Sequence, residues 1–140
     1  MAAMDQAELR RHLVDSVVAR LATVSRDGKP HLIPVCFVLD GDRIFFAVDQ
    51  KPKRTNDLQR LRNIAANSAV SLLVDHYESD WARLWWVRVD GTARTLDRGD
   101  EADRALDLLA DRYPQYVEAR PDGPVVSIAL ERISGWSAAQ

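Results

Sequence analysis

Two Asp-Gly pairs, Asp27-Gly28 and Asp40-Gly41, most strongly limit the folds open to this chain of 140 residues. Each pair stands between two runs rich in β-branched and aromatic residues, and Asp-Gly is a strong signal for a tight turn between antiparallel strands. The three runs that the pairs connect are residues 18–25, 30–39 and 43–48. The pattern therefore predicts an antiparallel meander of three strands.

The rest of the chain alternates between further strands and a few helices. Residues 69–75, 81–96 and 124–133 have the composition of strands, and Gly91 marks a bend in the second of them. Asp5 and Glu8 have the spacing of a capping box, which predicts a short first helix. Apolar residues at helical spacing predict two more helices, over 51–67 and 100–113. We therefore expect one mainly β (α+β) domain over 1–140, a six- to seven-stranded antiparallel split or closed barrel with about three peripheral helices.

The composition excludes several classes of function. The formal net charge is −2, whereas proteins that bind nucleic acid usually carry a strong positive excess. Cys36 is the only cysteine, so an intrachain disulfide and a cysteine-rich zinc site are both impossible. No apolar run reaches the ~18 residues of a membrane span, and the first residues are too polar for a signal peptide. We expect a cytoplasmic protein with no metal, no nucleic acid partner and no membrane partner.

Strand periodicity predicts an apolar surface that something must cover. In the strands over 31–39 and 44–48 both faces are largely apolar, although a small antiparallel barrel ordinarily leaves its outer face in water. The covering partner is either a helix of the same chain or a second subunit, and a homodimer is the favoured alternative. Pro34 interrupts its strand and leaves backbone groups free for a ligand.

A cluster of cations predicts an anion site. Lys51, Lys53, Arg54, Arg60 and Arg62 are five of the chain's 19 basic residues, and they lie before and at the start of a predicted helix. Basic side chains are unfavourable at that end of a helix unless an anion is bound there. A bound phosphate is therefore the favoured interpretation, and a solvated helix face is the alternative.

Trp85-Trp86 and Cys36 complete the list of candidate residues. Neighbouring strand residues face opposite ways, so Trp86 leaves the core and, beside Arg88, either stacks on a planar ring or seals a dimer contact. Cys36 and His31 lie on opposite faces of one strand and cannot pair, which favours a buried, unreactive thiol. No hydrolytic triad is present, so the catalytic residues stay unknown.

Five segments together resemble a known superfamily. They are LATVSRDGKPHLIPV over 21–35, RLRNIAAN over 60–67, VSLLVD over 70–75, WVRVDGTA over 86–93 and RISGW over 132–136. In this order they are similar to the pyridoxamine 5′-phosphate oxidase-like flavin split-barrel superfamily. The chain most resembles its branch of oxidoreductases that use the deazaflavin coenzyme F420.

The resemblance implies a fold of the FMN-binding split-barrel type and a homodimer with cofactor sites at the subunit interface. A basic loop and helix would hold the phosphate and acidic tail of the cofactor, and the flat ring would lie along one strand, held by backbone groups. Trp86 and Arg88, or the partner subunit's Trp136, would close the groove. The matching positions in this sequence are Lys51, Lys53, Arg54, Arg60 and Asn63 for the anion and Pro34, Val35 and Cys36 for the ring.

The activity implied is transfer of a hydride from the reduced deazaflavin to an unsaturated or electron-poor small molecule. Two alternatives remain open. One is an FMN-dependent oxidase or reductase of the same fold, because the same basic loop would also hold the shorter FMN phosphate. The other is a non-catalytic module that binds a cofactor or a tetrapyrrole.

Overall fold

The computed structural model describes residues 2–48 and 58–139. The strands of these segments are β1 (Ala2–Ala3), β2 (Ala19–Val24), β3 (Pro30–Val35), β4 (Val38–Asp40), β5 (Arg43–Ala47), β6 (Ala69–His76), β7 (Trp85–Leu96) and β8 (Val125–Ser137). The helices are α1 (Gln6–Asp15), α2 (Gln59–Ala66), α3 (Asp100–Arg112) and α4 (Gln115–Glu118), with a single 3₁₀ turn over Trp81–Arg83. In the described segments no helix has the length and apolar character to cross a bilayer.

One antiparallel sheet carries the fold, in the strand order β3-β2-β6-β7-β8-β5-β4, with β1 added along β8. The inward side chains of these strands form one apolar cluster, whose fully buried members include Leu21, Ile44, Leu72, Val89 and Ile128. One cluster can collect side chains from strands across the whole sheet only if the sheet curls around it. The fold is therefore the split β-barrel that the sequence predicts, with its helices at the periphery.

Both Asp-Gly turns are confirmed, but the predicted meander is wrong. Gly28 and Gly41 have φ of 82° and 61°, which suits glycine, and each closes a hairpin, β2 with β3 and β4 with β5. The run over 30–39 is two strands and not one, because the chain leaves the sheet at Cys36 and Phe37. As a result β3 and β4 lie at opposite ends of the strand order, and the two hairpins do not pair with each other.

A tyrosine side chain replaces the missing strand pairing at this break. The Tyr113 hydroxyl accepts a hydrogen bond from the Phe37 backbone N–H at 3.0 Å. The same oxygen lies 2.9 Å from the carbonyl oxygens of Phe37 and Val17, which share its single proton. Backbone polar groups at a buried position need such partners. Tyr113, at the end of α3, thus fixes the path of the chain between the two hairpins.

Helix α3 covers part of the outer face of the sheet. On β5, Ile44 and Phe46 point into the barrel, whereas Phe45 and Ala47 point outward. The outward pair packs on α3, against Ala102, Ala105 and Leu109. For β5 the covering element is therefore a helix of the same chain. The outer face of β3 is different, because Leu32 is 67% exposed there.

The Tyr113 contacts predict a stability loss for Tyr113→Phe. The substitution keeps the ring and removes only the hydroxyl, so three backbone groups lose a partner. Leaving such groups unsatisfied costs about 1–3 kcal/mol of the free energy of unfolding. Urea unfolding followed by circular dichroism measures the loss. Tyr77→Phe is the matched control, because Tyr77 is 66% exposed; equal stability of the two variants would contradict the role assigned to Tyr113.

Candidate functional site

The outer face of the sheet carries a continuous row of paired residues. Pro34 on β3 is opposite Arg20 on β2, and Arg20 is also opposite Leu73 on β6. Leu73 in turn is opposite Arg88 on β7. Residues directly opposite on antiparallel strands share a face. The row therefore joins two predicted site residues, Pro34 and Arg88, through side chains from two other strands.

A groove of about 500 Å³ follows this row. The polypeptide exposes far more apolar than polar surface in it, and its principal lining side chains are Arg20, Leu32, Leu73, Tyr77, Trp86 and Arg88. Leu32 and Tyr77 are each about two-thirds exposed. Ligand sites for small molecules are typically concave, mostly apolar and ~300–1,000 Å³ in volume. The groove has the size and the character to hold one flat organic ring.

Trp86 and Arg88 form the polar, aromatic wall of the groove. The Arg88 guanidinium carbon lies 5.7 Å from the centre of the Trp86 ring, which is a cation–π distance. Arg88 Nε donates to Asp90 Oδ2 at 3.2 Å, and the Ser71 hydroxyl donates to the other oxygen of Asp90 at 2.7 Å. These contacts hold Arg88 against the indole and give the wall a fixed shape. Trp136 on β8 is paired with Trp86, so its side chain lies on the same face.

Arg60 and Asn63 lie elsewhere, on the helix α2. Asn63 is 1% exposed and donates from Nδ2 to the Thr23 hydroxyl at 3.0 Å. Arg60 is half-buried, and burial lowers the pKa of its guanidinium. Its Nε is shielded from solvent and has no hydrogen-bond partner among the described residues. An unpartnered cationic donor of this kind favours an acceptor such as a phosphate oxygen.

Val35 is buried and Cys36 is half-buried. Val35 is 6% exposed and points into the barrel core, so only its backbone can reach a ligand. Cys36 is half-buried and packs against the cluster under α3 and α4. Burial raises the pKa of the Cys36 thiol, and this effect outweighs the opposing charge of Arg112 and a hydrogen bond to Tyr116. The thiol is therefore protonated and unreactive at neutral pH.

The basic loop residues Lys51, Lys53 and Arg54 lie outside the described residues. Their assignment to an anion site stays a prediction from the sequence. Among the described residues, no group of three or more histidine, cysteine or carboxylate side chains is arranged to hold a metal ion.

A larger cavity, of about 730 Å³, lies between the end of β7, the start of α3 and residues 121–125. Its ionisable side chains are Asp97, Asp103, Asp122 and Arg98. The carboxylates outnumber the cation, and they disfavour the phosphate that the basic cluster predicts. The smaller groove on the outer sheet face is therefore the better candidate site, although its volume is lower.

Sequence reasoning missed Arg20, Leu73 and Tyr77 as groove residues. Strand periodicity places Arg20 on an outer face, but the sequence does not show that β2 pairs with β6 rather than with a sequence neighbour. That non-local pairing brings Arg20 and Leu73 together. The sequence therefore indicates on which face of its own strand Arg20 or Leu73 lies, but not that the two residues are neighbours.

Comparison with known proteins places nearly the whole chain in one family. Residues 6–137 match the profile of the family described as pyridoxamine 5′-phosphate oxidase. Over 86 residues the chain is 33% identical to a protein of Streptomyces rimosus named 5a,11a-dehydrotetracycline/5a,11a-dehydrooxytetracycline reductase. This alignment covers 61% of the chain and 59% of that relative, so the match spans well under two thirds of the reductase.

Solved structures share the fold over nearly the full chain. A conserved hypothetical protein from Mycobacterium tuberculosis superposes with a TM-score of 0.80 at 21% identity, over 96% of this chain and 86% of that one. A protein described as FAD-binding, from Mesorhizobium loti, gives a TM-score of 0.73 at 20% identity, over 96% of this chain and 95% of that one. At these identities the likeness establishes the split-barrel fold.

The environment of Cys36 predicts slow alkylation. Because the thiolate is the reactive form and burial raises the pKa of this thiol, iodoacetamide at pH 8 will modify the folded chain several-fold more slowly than the urea-unfolded chain. Mass spectrometry at timed intervals measures both rates, and the single cysteine makes the assignment unambiguous. Equal rates in the two states would show that the thiol is free and accessible.

Proposed function

We propose that this chain, which belongs to the pyridoxamine 5′-phosphate oxidase family, is an oxidoreductase that works with the deazaflavin coenzyme F420. The reaction proposed is transfer of a hydride from the reduced deazaflavin to an unsaturated or electron-poor organic molecule. The observation that carries the proposal is the apolar groove on the outer sheet face, with the Trp86–Arg88 pair as its wall.

The residues present fit a cofactor with a flat ring and an anionic tail. The groove of about 500 Å³ offers apolar contact to a ring system, and Trp86 offers an aromatic surface for stacking. On α2, Arg60 has a shielded Nε without a partner among the described residues, which fits a phosphate oxygen. The predicted loop cations Lys51, Lys53 and Arg54 add charge for a longer polyanionic tail. That surplus of charge favours the deazaflavin over FMN.

The relative from Streptomyces rimosus supports the class of reaction. It is named a reductase, and it shares 33% of its residues with this chain over the aligned region. Since that region is 59% of the relative, its substrates are not carried over to this protein. The substrate class proposed here is correspondingly broad.

When bound, the cofactor would supply the hydride chemistry, so the side chains of the protein need only bind it, orient it and exclude water. Trp86 and Leu73 bind and orient the ring, and the apolar lining of the groove excludes water from the reacting face. Arg88 is fixed by Asp90 and places a positive charge beside the ring. No side chain needs to act as a nucleophile, in agreement with the protonated state of Cys36.

A flavin enzyme of the same fold is the second candidate. The structural neighbour described as FAD-binding favours this alternative. The groove and Arg60 would serve FMN in the same way, with one phosphate in place of a longer tail. The two candidates differ in which cofactor binds more tightly.

We further propose that a second copy of the chain closes the groove. Leu32, at 67% exposed, and Tyr77, at 66% exposed, leave apolar surface on this face that the described residues do not cover. The same face carries Arg20 and Arg88 together with Asp75, so it can complement itself across a two-fold axis. In such a homodimer the cofactor lies at the interface, where the partner subunit's Trp136 completes the wall.

The dimer predicts that Leu32→Glu dissociates the protein. A carboxylate buried at this apolar interface loses its hydration, which is strongly unfavourable. Light scattering after size exclusion will give twice the chain mass for the native protein and the chain mass for the variant. Val117→Glu, at another exposed apolar position, is the matched control and stays dimeric. A monomeric native protein would exclude the interface.

Cofactor binding tests the proposed function directly. Calorimetric titration with oxidised coenzyme F420 and, separately, with FMN will show tighter binding of the deazaflavin. Trp86→Ala will weaken that binding by about 1–3 kcal/mol, because stacking on an aromatic side chain contributes that much. This is a loss of affinity of roughly 5- to 150-fold.

The control for this titration is Trp81→Ala, since Trp81 is 77% exposed and does not line the groove. Tighter binding of FMN would make the protein a flavin enzyme. Binding of neither cofactor would exclude both candidates.

A further inference from the structure

Two charged side chains of opposite sign line the groove on the outer sheet face without forming a contact. They are Arg20 of β2 and Asp75 of β6. Neither side chain forms a hydrogen bond or an ion pair with any of residues 2–48 and 58–139. Arg88 is different, because its Nε lies 3.2 Å from a carboxylate oxygen of Asp90. As far as the described residues form it, the groove thus holds an unpaired cation and an unpaired carboxylate.

The register of the sheet places these two groups near each other. Arg20 is directly opposite Leu73, and Asp75 follows Leu73 by two residues on the same face of β6. Diagonal neighbours of this kind are ~7–8 Å apart in an antiparallel pair, which is within reach of a long side chain. The guanidinium nevertheless does not pair with the carboxylate. Both groups are therefore available to a molecule that lies over Leu73.

A molecule that fills the groove must satisfy both charges. In the open groove water solvates them. An apolar occupant displaces this water, and a charge that has lost its water without gaining a partner is strongly unfavourable. A guanidinium can only donate hydrogen bonds, and an ionised carboxylate can only accept them. The occupant must therefore present an acceptor to Arg20 and a donor to Asp75.

The position of Arg20 relates this requirement to the substrate. Arg20 lies two strands away from Arg88, which is about 10 Å at the usual spacing of neighbouring strands. Trp86 and Arg88 form the wall that the proposed function assigns to the cofactor ring. A group bound at Arg20 then belongs to a molecule beside that ring. Arginine binds a carboxylate through two parallel hydrogen bonds, so a planar anion suits this position.

We propose that the groove selects a planar, conjugated substrate with a carboxylate or enolate for Arg20 and a hydroxyl or N–H group for Asp75. The inference rests on the proposed function and narrows its substrate class, which is otherwise any unsaturated or electron-poor molecule. Arg20 and Asp75 are the residues that determine this specificity. They discriminate among flat molecules that the apolar lining alone would accept equally.

Two matched probe molecules test the role of Arg20. Para-hydroxycinnamate carries both polar groups on a planar, conjugated frame, whereas para-hydroxycinnamamide lacks the negative charge. Calorimetric titration of the native protein, with and without oxidised coenzyme F420, will show roughly tenfold tighter binding of the carboxylate, as for a hydrogen bond to a charged group. In Arg20→Gln the two probes will bind equally, and Arg20→Lys will recover part of the preference. An unchanged preference in Arg20→Gln would overturn the proposal.

A third probe tests Asp75. Cinnamate lacks the hydroxyl group, so the native protein will bind it several-fold more weakly than para-hydroxycinnamate. Asp75→Ala will abolish this difference and keep the preference for the carboxylate over the amide. If the full difference persists in Asp75→Ala, the carboxylate of Asp75 has no part in selecting the substrate.

The control variant is Arg104→Gln, because Arg104 pairs with Asp40 and does not line the groove. It will bind all three probes as the native protein does. Thermal melts and light scattering will show that Arg20→Gln folds and keeps the native mass. Dissociation of Arg20→Gln into single chains would assign this charge to a contact between subunits, and weaker binding of coenzyme F420 would assign it to the cofactor. Either result would overturn the proposal.

The titrations also separate this inference from the proposed function. If coenzyme F420 or FMN binds but the probes show no preference that depends on Arg20, the substrate class is wrong and the oxidoreductase proposal stands. If the preference depends on Arg20 but neither cofactor binds, the groove recognises planar acids and the proposed function fails.

Discussion

At the break between the two hairpins, a side chain supplies the hydrogen bonds that strand pairing would otherwise supply. Cys36 and Phe37 leave the sheet, and the Tyr113 hydroxyl contacts the backbone N–H and C=O of Phe37 as well as the carbonyl of Val17. Without these bonds the buried backbone would have to continue as one strand or stay unpaired. The phenol thus stabilises the break between β3 and β4 and ties the end of α3 to it.

The separation of the hairpins determines which part of the outer sheet face a helix covers. With β4 and β5 moved to one end of the strand order, their outer face receives α3. At the other end, no helix of residues 2–48 or 58–139 lies over the face of β3, β2, β6 and β7 that carries Leu32, Leu73 and Trp86. The groove is thus open because α3 packs on the other end of the sheet. An apolar sheet face left open in this way is typical of a surface that binds a ligand, a second subunit or both.

Local patterns in the sequence predict most of the fold. Asp5 caps α1, the two Asp-Gly pairs turn their hairpins, and strand β7 shows the alternation of Trp85, Val87 and Val89 inward. The register shift at Asp90 and Gly91 agrees with the predicted bend. The break at Phe37 could not be predicted, because its cause is a tyrosine 76 residues away in sequence. Strand alternation likewise predicts that Arg20 and Leu73 each face outward. It does not predict that they line one groove, because they become neighbours only when β2 pairs with β6.

The predicted site residues lie on both faces of the same sheet. Pro34, Trp86 and Arg88 lie on the outer face, whereas Thr23 lies on the inner face, where Asn63 of α2 contacts it. Apolar contact on the outer face stabilises the fold or an interface whether or not a ligand is present. The shielded Nε of Arg60 does not, since it has no hydrogen-bond partner among the described residues. Groups that cost stability in the free protein and gain it on binding are typical of functional sites. The Nε of Arg60 is therefore a group that a packing requirement does not explain and that an anionic ligand would satisfy.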